Sequence, residues 1–147
     1  MSLFRSPSSR QQSLGLAVLR IAVAAVFINH GWQKLFVYGF AGVTGAFTHM
    51  GVPLPGFTGP FIAVLEFFGS IALIIGLLTR PVALLFAFDM LGAILLVKMK
   101  DGFSHYELEF LLFAASLALF LTGAGSFSVD SVLAARKEKN TANQIAS

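Results

Sequence analysis

The sequence predicts an all-α integral membrane protein, a four-helix antiparallel bundle with both termini in the cytoplasm. Hydrophobic residues make up 56% of the 147 residues and charged residues only 12%. That charged share is about half of the roughly 25% found in soluble domains, so there are too few charges to cover a surface in water. The apolar residues are gathered into four long stretches without strand-like alternation, which favours helices in lipid.

The four stretches have the length of membrane spans. Residues 14–35 and 61–78 are long enough without their flanks, since about 20 apolar residues cross the hydrocarbon layer. The other two reach that length as 81–98 and 106–122, with interfacial flanks included. We expect the first stretch to be retained and not cleaved as a signal peptide, because it contains Arg20 and ends in polar residues without a small-residue cleavage site.

The segments outside the spans divide between the two faces of the membrane. We expect residues 1–13 to form a polar cytoplasmic N-terminus and 124–147 a cytoplasmic tail, weakly amphipathic over 128–139 and without regular structure after Asn140. The long connection 36–60 is expected to contain a short interfacial helix at 41–50. Three basic residues fall on the outer side, and six on the side of the termini, which favours cytoplasmic termini: Arg5, Arg10, Arg80, Arg136, Lys137 and Lys139.

Ionisable residues within the spans are the candidates for function, because a charge in the bilayer is costly unless it faces the interior or is paired. From their depths along the helices we expect Arg20 to pair with Asp89 in the inner half of the bundle. A second polar layer is expected in the outer half, made of His30, Lys34, Glu66 and Glu107. Such layers either carry chemistry or only fix the register of the helices, and both interpretations stay open.

Each candidate receives a role from its chemistry. Glu66 and His30 are assigned as catalytic, because carboxyl and imidazole groups exchange protons. The groups assigned to substrate binding are Lys34, Arg20 and Glu107. The residues assigned to structure are Asp89, Gly31, Gly69 and Arg80.

The absence of cysteine excludes several kinds of site. The chain contains no cysteine, so disulfides, thiol redox pairs, iron–sulfur clusters and cysteine-ligated zinc are ruled out. A haem held by His30 and His105, or a metal held by His30, Glu66, His105 and Glu107, is a weaker alternative, and no metal is assigned. The net charge of +3 is attributed to membrane topology, so no nucleic-acid partner is expected.

Short motifs along most of the chain, from Leu14 to Leu133, resemble the DoxX family of small bacterial membrane proteins. The match rests on Arg20 and on the segments at 30–35 (HGWQKL), 51–55 (GVPLP), 66–69 (EFFG), 76–80 (GLLTR), 106–108 (YEL) and 121–125 (LTGAG). The chain departs from the family at Ser104-His105, where a Gly-Gly pair is usual. The resemblance implies a four-helix bundle in the bacterial cytoplasmic (inner) membrane. Some members of the family are similar to subunits of a thiosulfate:quinone oxidoreductase, and others are tied to membrane oxidoreductase complexes or oxidative stress.

Two functions are therefore carried forward. The first is a quinone-reactive subunit of a membrane oxidoreductase, which holds no cofactor of its own beyond a quinone and receives electrons from a partner redox protein. The second is a non-enzymatic scaffold or assembly factor for a redox or stress complex. A solute or proton pathway is a third reading, and it would need a homo-oligomer because four helices enclose little space.

Overall fold

The computed structural model describes residues 7–146, and within this range the chain is helical and contains no strand. This confirms the all-α prediction. The prediction for Arg5 lies outside the described residues. The α-helices, in chain order, are α1 (Ser9–Trp32), α2 (Gly39–His49), α3 (Pro55–Ile75), α4 (Thr79–Gly92), α5 (Glu107–Thr122) and α6 (Val129–Ala146).

Contacts between side chains show that the long helices pack antiparallel. Arg20 in the middle of α1 donates to the carbonyl of Ile74 at the end of α3 (3.5 Å), whereas Lys34, beyond the end of α1, pairs with Glu66 in the middle of α3. In the same way, Arg80 at the start of α4 contacts the carbonyl of Leu121 at the end of α5 (3.4 Å). The first part of α1, the turn between α3 and α4 and the turn after α5 therefore lie at one end of the bundle, here called the terminal end.

Three segments are long and apolar enough to cross a membrane: Ser9–His49, Pro55–Ile75 and Thr79–Asp101, with mean hydropathies of 1.7, 1.9 and 2.2. The fourth packed helix, α5, has 16 residues and a length of about 24 Å. The chain is thus an integral membrane protein with at least these three candidate spans. That α5 also crosses, and that the terminal end is cytoplasmic, stay predictions.

The core lies where α1 and α4 face each other between α3 and α5. The rings of Phe27 and Phe86 stack there with their centroids 3.9 Å apart, and both side chains are at most 1% exposed. Fully buried small side chains at Ala24 and Ala83 allow the helices to approach closely, which supplies the dispersion contacts that hold helices together in lipid.

Two of the long helices change their winding at the end opposite to the termini. Helix α1 continues into a π-helical segment at Gln33–Tyr38, and α4 continues into another at Ala93–Lys98. Wider turns of this kind are rare and are often found at functional sites. Each of these two segments carries a lysine, Lys34 or Lys98, and both lysines belong to the site described below.

The helices differ from the predicted segments in three places. Helix α1 begins at Ser9, where Ser8 and Gln11 form a capping box, and α3 begins at Pro55, with proline in its first turn. The short helix predicted at 41–50 is confirmed as α2. The prediction that residues after Asn140 lack regular structure is wrong, because α6 continues to Ala146.

Candidate functional site

A cavity of about 440 Å³ lies in the half of the bundle away from the terminal end. Its volume falls in the range of roughly 300–1,000 Å³ that small-molecule sites occupy. Most of the lining is apolar, and it is supplied by α1 to α5 together with the loop before α3. The polar side chains on its wall are few: His30, Lys34, Thr58, Glu66, Asp89, Lys98 and Glu109.

The deepest charged contact in the cavity joins Lys34 to Glu66. The two side chains form an ion pair, with the Glu66 side chain 3% exposed and that of Lys34 21% exposed. Glu66 lies in the middle of α3, and the hydroxyl of Ser70 donates to its backbone carbonyl (2.5 Å). A buried pair of this kind is stable only with good geometry, since burial of both charges costs several kcal/mol.

Gly31 sets the distance between the helices that carry this pair. It is buried, and its Cα faces the backbone of α3 at Glu66 and Phe67. A Cβ at this position would lie 2.8 Å from the carbonyl carbon of Glu66 and would meet the backbone nitrogen of Phe67 even more closely. Lys34 follows Gly31 by three residues and shares its face of the helix, so this close approach brings the lysine within reach of Glu66.

Asp89 adds a second carboxyl group to the same contact. It lies on α4, lines the same cavity and is electrostatically coupled to Glu66 and Lys34. Its Oδ2 atom is buried, and no described residue forms a hydrogen bond with it. Two carboxyl groups on α3 and α4 thus face one ammonium group from α1, and the site holds more acidic than basic groups at this depth.

A second ion pair also lines the cavity. The ammonium group of Lys98 is 2.5 Å from a carboxylate oxygen of Glu109, and these side chains are 39% and 14% exposed. Lys98 ends the π-helical segment after α4, and Glu109 lies in the first turn of α5. The pair therefore joins α4 to α5 at the end of the bundle away from the termini.

The histidines are placed without a metal centre. His30 lines the cavity and is an exposed residue, while His105 is exposed in the short helical turn Phe103–His105 and does not line the cavity. Within residues 7–146, no group of three or more His, Asp or Glu side chains is arranged to hold a metal ion. The four residues considered for a metal are therefore not brought together.

The predicted pair between Arg20 and Asp89 is wrong. The guanidinium group donates instead to the carbonyls of Ala124 (2.6 Å) and Phe127 (2.7 Å), at the turn that follows α5. Carbonyls at helix ends lack partners within the helix, and five N–H donors suit several such acceptors. Arg20 is 3% exposed and lies at the terminal end, outside the cavity lining, so it is not placed to bind a ligand there.

The expected place of Glu107 is taken by Glu109. Glu107 is the exposed first residue of α5 and does not line the cavity. The buried residues of α5 are Leu112, Ser116 and Leu119, and counting back three positions from Leu112 leads to Glu109. This pattern of burial is visible only in the structure, because residues 110–121 are apolar apart from Ser116 and their sequence does not show which face of α5 lies inward.

The residues assigned to structure occupy different surroundings. Gly69 faces the ring of Phe86, where a Cβ would lie 3.2 Å from two ring atoms. Arg80 is exposed at the start of α4. The same helix is capped from a distance by Asp130, whose carboxylate accepts from the backbone N–H groups of Leu78 (2.8 Å) and Thr79 (2.9 Å).

Comparison with known proteins gives the family. The family model named DoxX matches residues 15–99, which is more than half of the chain. The chain belongs to the DoxX family. The resemblance inferred from the sequence motifs is thereby confirmed. A second model, described as TQO small subunit DoxD, matches residues 60–146 of this DoxX-family chain.

Curated relatives of this DoxX-family protein include bacterial membrane proteins. The chain is 35% identical to a Bacillus subtilis protein named "Putative oxidoreductase CatD" over 80% of this chain and 85% of that protein. It is also 35% identical to the Escherichia coli inner membrane protein YqjF, over 83% of this chain and 94% of YqjF. Its identity to the inner membrane protein YphA of the same species is 29%, over 78% of this chain and 87% of YphA. No solved structure matches the chain significantly.

These findings place the protein in the membrane. The relatives YqjF and YphA are named as inner membrane proteins, and the DoxX-family chain has three segments able to cross a bilayer. The protein is therefore a multi-pass protein of the bacterial inner membrane, in contact with the lipid bilayer.

Proposed function

We propose that this DoxX-family protein is a quinone-reactive subunit of a membrane oxidoreductase and that the cavity binds the quinone headgroup. The observation that carries the proposal is the Lys34–Glu66 ion pair, with the Asp89 carboxyl beside it, in a cavity whose walls are mostly apolar. A quinone ring needs apolar walls, and its carbonyl oxygens need hydrogen-bond donors. The cavity supplies both.

The polar groups divide the chemistry between them. The ammonium group of Lys34 donates to a quinone carbonyl oxygen, and His30 on the cavity wall offers a second donor. Reduction of a quinone to a quinol takes up two electrons and two protons. Glu66 and Asp89 hold and transfer protons to the carbonyl oxygens, because carboxyl groups in such surroundings act as general acids and bases.

The electrons come from a partner redox protein. The chain contains no cysteine, and its sequence has no nucleotide-binding loop, so we assign the donor to another subunit. The description of DoxD as a TQO small subunit and the oxidoreductase name of CatD support a place in a redox complex. These names describe those proteins, and they are the reason to test the same role here.

The test is the quinone content of protein purified in mild detergent, measured by extraction and chromatography. We expect near-stoichiometric quinone in the wild type and its loss in Glu66→Gln, whereas Glu138→Gln on exposed α6 should keep it. A second pair of variants changes the shape of the site and none of its charges. Ala93→Phe fills the cavity that Ala93 lines and should exclude quinone, while Leu95→Phe, on the exposed surface of the same segment, should not.

Two results would contradict the proposal. One is a folded wild type that contains no quinone and takes up no added ubiquinone-1. The other is equal quinone in Ala93→Phe and Leu95→Phe. If no quinone is found and a redox protein co-purifies with the folded chain, the scaffold or assembly-factor function is favoured instead.

A further inference from the structure

Helix α6 begins at the level of the membrane surface. The backbone N–H of Asp130 donates to the carbonyl of Gly76 (2.9 Å), and the Asp130 carboxylate accepts from the N–H groups of Leu78 and Thr79. These partners lie where α3 is joined to α4, and both of these helices belong to candidate spans. A short connection between two spans lies at the surface of the bilayer, because both apolar segments end there. The first turn of α6 is therefore held at that surface.

An apolar stripe on α6 is not covered by the bundle. Val129, Val132 and Leu133 are all exposed, and at 100° per residue they fall within about 100° of one another around the helix. Phe127, just before the helix, is exposed as well. From position 132 to position 145 every residue is exposed. The stripe therefore faces whatever surrounds the bundle at the membrane surface.

Basic side chains flank this apolar stripe on both edges. Measured from Val129, Lys137 lies about 80° to one side and Lys139 about 80° to the other. Arg136 continues the stripe at its far end, and Glu138 lies on the opposite face of the helix. Long basic side chains can lay their aliphatic stems along an apolar surface while their charges stay among polar headgroups. This arrangement is typical of helices that lie in the plane of a membrane surface.

We propose that the segment 129–139 of α6 lies in the membrane surface at the terminal end and binds anionic phospholipid headgroups. The apolar stripe enters the boundary of the hydrocarbon layer, and Arg136, Lys137 and Lys139 contact the headgroup phosphates. Three basic residues and one acidic residue over 136–139 favour an anionic surface over a neutral one.

The size of the stripe favours lipid over a protein partner. A stable protein–protein interface buries roughly 800 Å² on each partner, which is far more than three aliphatic side chains present. A helix that the bundle already holds at the bilayer needs only a narrow stripe to lie in it. The proposal goes beyond the proposed function, since it assigns a ligand to a surface outside the cavity.

The natural absence of cysteine allows a direct test with the environment-sensitive fluorophore NBD attached to a single thiol. Leu133→Cys places the label on the stripe. Ala134→Cys is the matched control, because this neighbouring residue is also exposed but lies about 140° from Val129 around the helix. The full-length protein is reconstituted in nanodiscs of phosphatidylcholine alone, or of phosphatidylcholine and phosphatidylglycerol in equal parts.

We expect NBD at Leu133→Cys to emit at shorter wavelength and with about twofold higher intensity than at Ala134→Cys in the mixed nanodiscs, because the stripe enters the apolar layer. The difference should be smaller in phosphatidylcholine alone. Adding Lys137→Gln with Lys139→Gln should remove the effect of phosphatidylglycerol, whereas Lys137→Arg with Lys139→Arg, which keeps both charges, should preserve it.

Three results would overturn this assignment. Equal emission from the two labelled positions in both lipid mixtures would mean that α6 stands in water. A difference of the same size in both mixtures would mean that headgroup charge is not recognised. A difference that appears only when another protein co-purifies would assign the stripe to that protein. No step of the test involves quinone, so its outcome is independent of the proposed function.

Discussion

Replacement of Gly31 by alanine should destabilise the protein and separate the Lys34–Glu66 pair. The added Cβ would lie 2.8 Å from the carbonyl carbon of Glu66, whereas ordinary van der Waals contact begins at 3.4 Å. Helices α1 and α3 must therefore move apart by roughly 0.6 Å or more, and the atoms in the way are backbone atoms that cannot rotate aside. Overpacking of this kind costs about 1–3 kcal/mol.

Gly15→Ala is the matched control, because it makes the same chemical change in the same helix. A Cβ at Gly15 meets nothing within 4 Å, and alanine is favoured over glycine in a helix interior by about 1 kcal/mol. We expect Gly15→Ala to be neutral or stabilising. The two variants should thus differ in sign, although helix propensity alone predicts that both stabilise.

The assay is the thermal unfolding midpoint in one detergent, followed by the loss of the monodisperse peak in size-exclusion chromatography after heating. A lower midpoint for Gly31→Ala than for the wild type and for Gly15→Ala supports the packing described here. If Gly31→Ala unfolds at or above the midpoint of Gly15→Ala, then α1 and α3 do not approach each other at Gly31, and the position assigned to Lys34 is also wrong.

Two further predictions concern the terminal end of the bundle. Arg20→Lys should lower the stability by about 2 kcal/mol, because one ammonium group cannot replace the two charge-assisted bonds to Ala124 and Phe127. Arg10→Lys, at an exposed position, should change the thermal unfolding midpoint little. Equal midpoints for Arg20→Lys and Arg10→Lys would argue against these bonds. Asp130→Ala should lower the stability by about 1–2 kcal/mol, because α4 loses the cap that Asp130 provides. The control is Glu138→Ala, at an exposed position of the same helix, α6. A loss of stability no larger than that of the control would contradict the capping role.

The predictions from sequence succeeded where the physics is local. The apolar stretches identified helices that cross a membrane, because the number of residues needed depends only on the thickness of the bilayer and the helical rise. Helix α2 was predicted at 41–50 in the long connection between the first two spans and is found at Gly39–His49. The ends were less accurate, since α1 begins at a capping box that lies before the apolar residues.

Within the candidate site, the sequence identified most of the chemistry but not all of the partners. His30, Lys34, Glu66 and Asp89 were chosen because charged and polar groups in a span are costly, and all four line the cavity. Depth alone paired Asp89 with Arg20, whereas the structure places Asp89 beside Glu66. Depth also favoured Glu107, whereas the structure places Glu109 in the cavity lining.

The sequence by itself thus determined the membrane environment, the helical class, the family and most of the ionisable residues of the site. Only the tertiary structure decided which of those residues meet. The rotation of each helix about its axis and the offset between helices depend on contacts between distant segments, such as Gly31 against the backbone of α3 and Arg20 against the turn after α5. A rotation of α4 by one residue, about 100°, would turn Asp89 away from Lys34, and no local pattern in the chain fixes that angle.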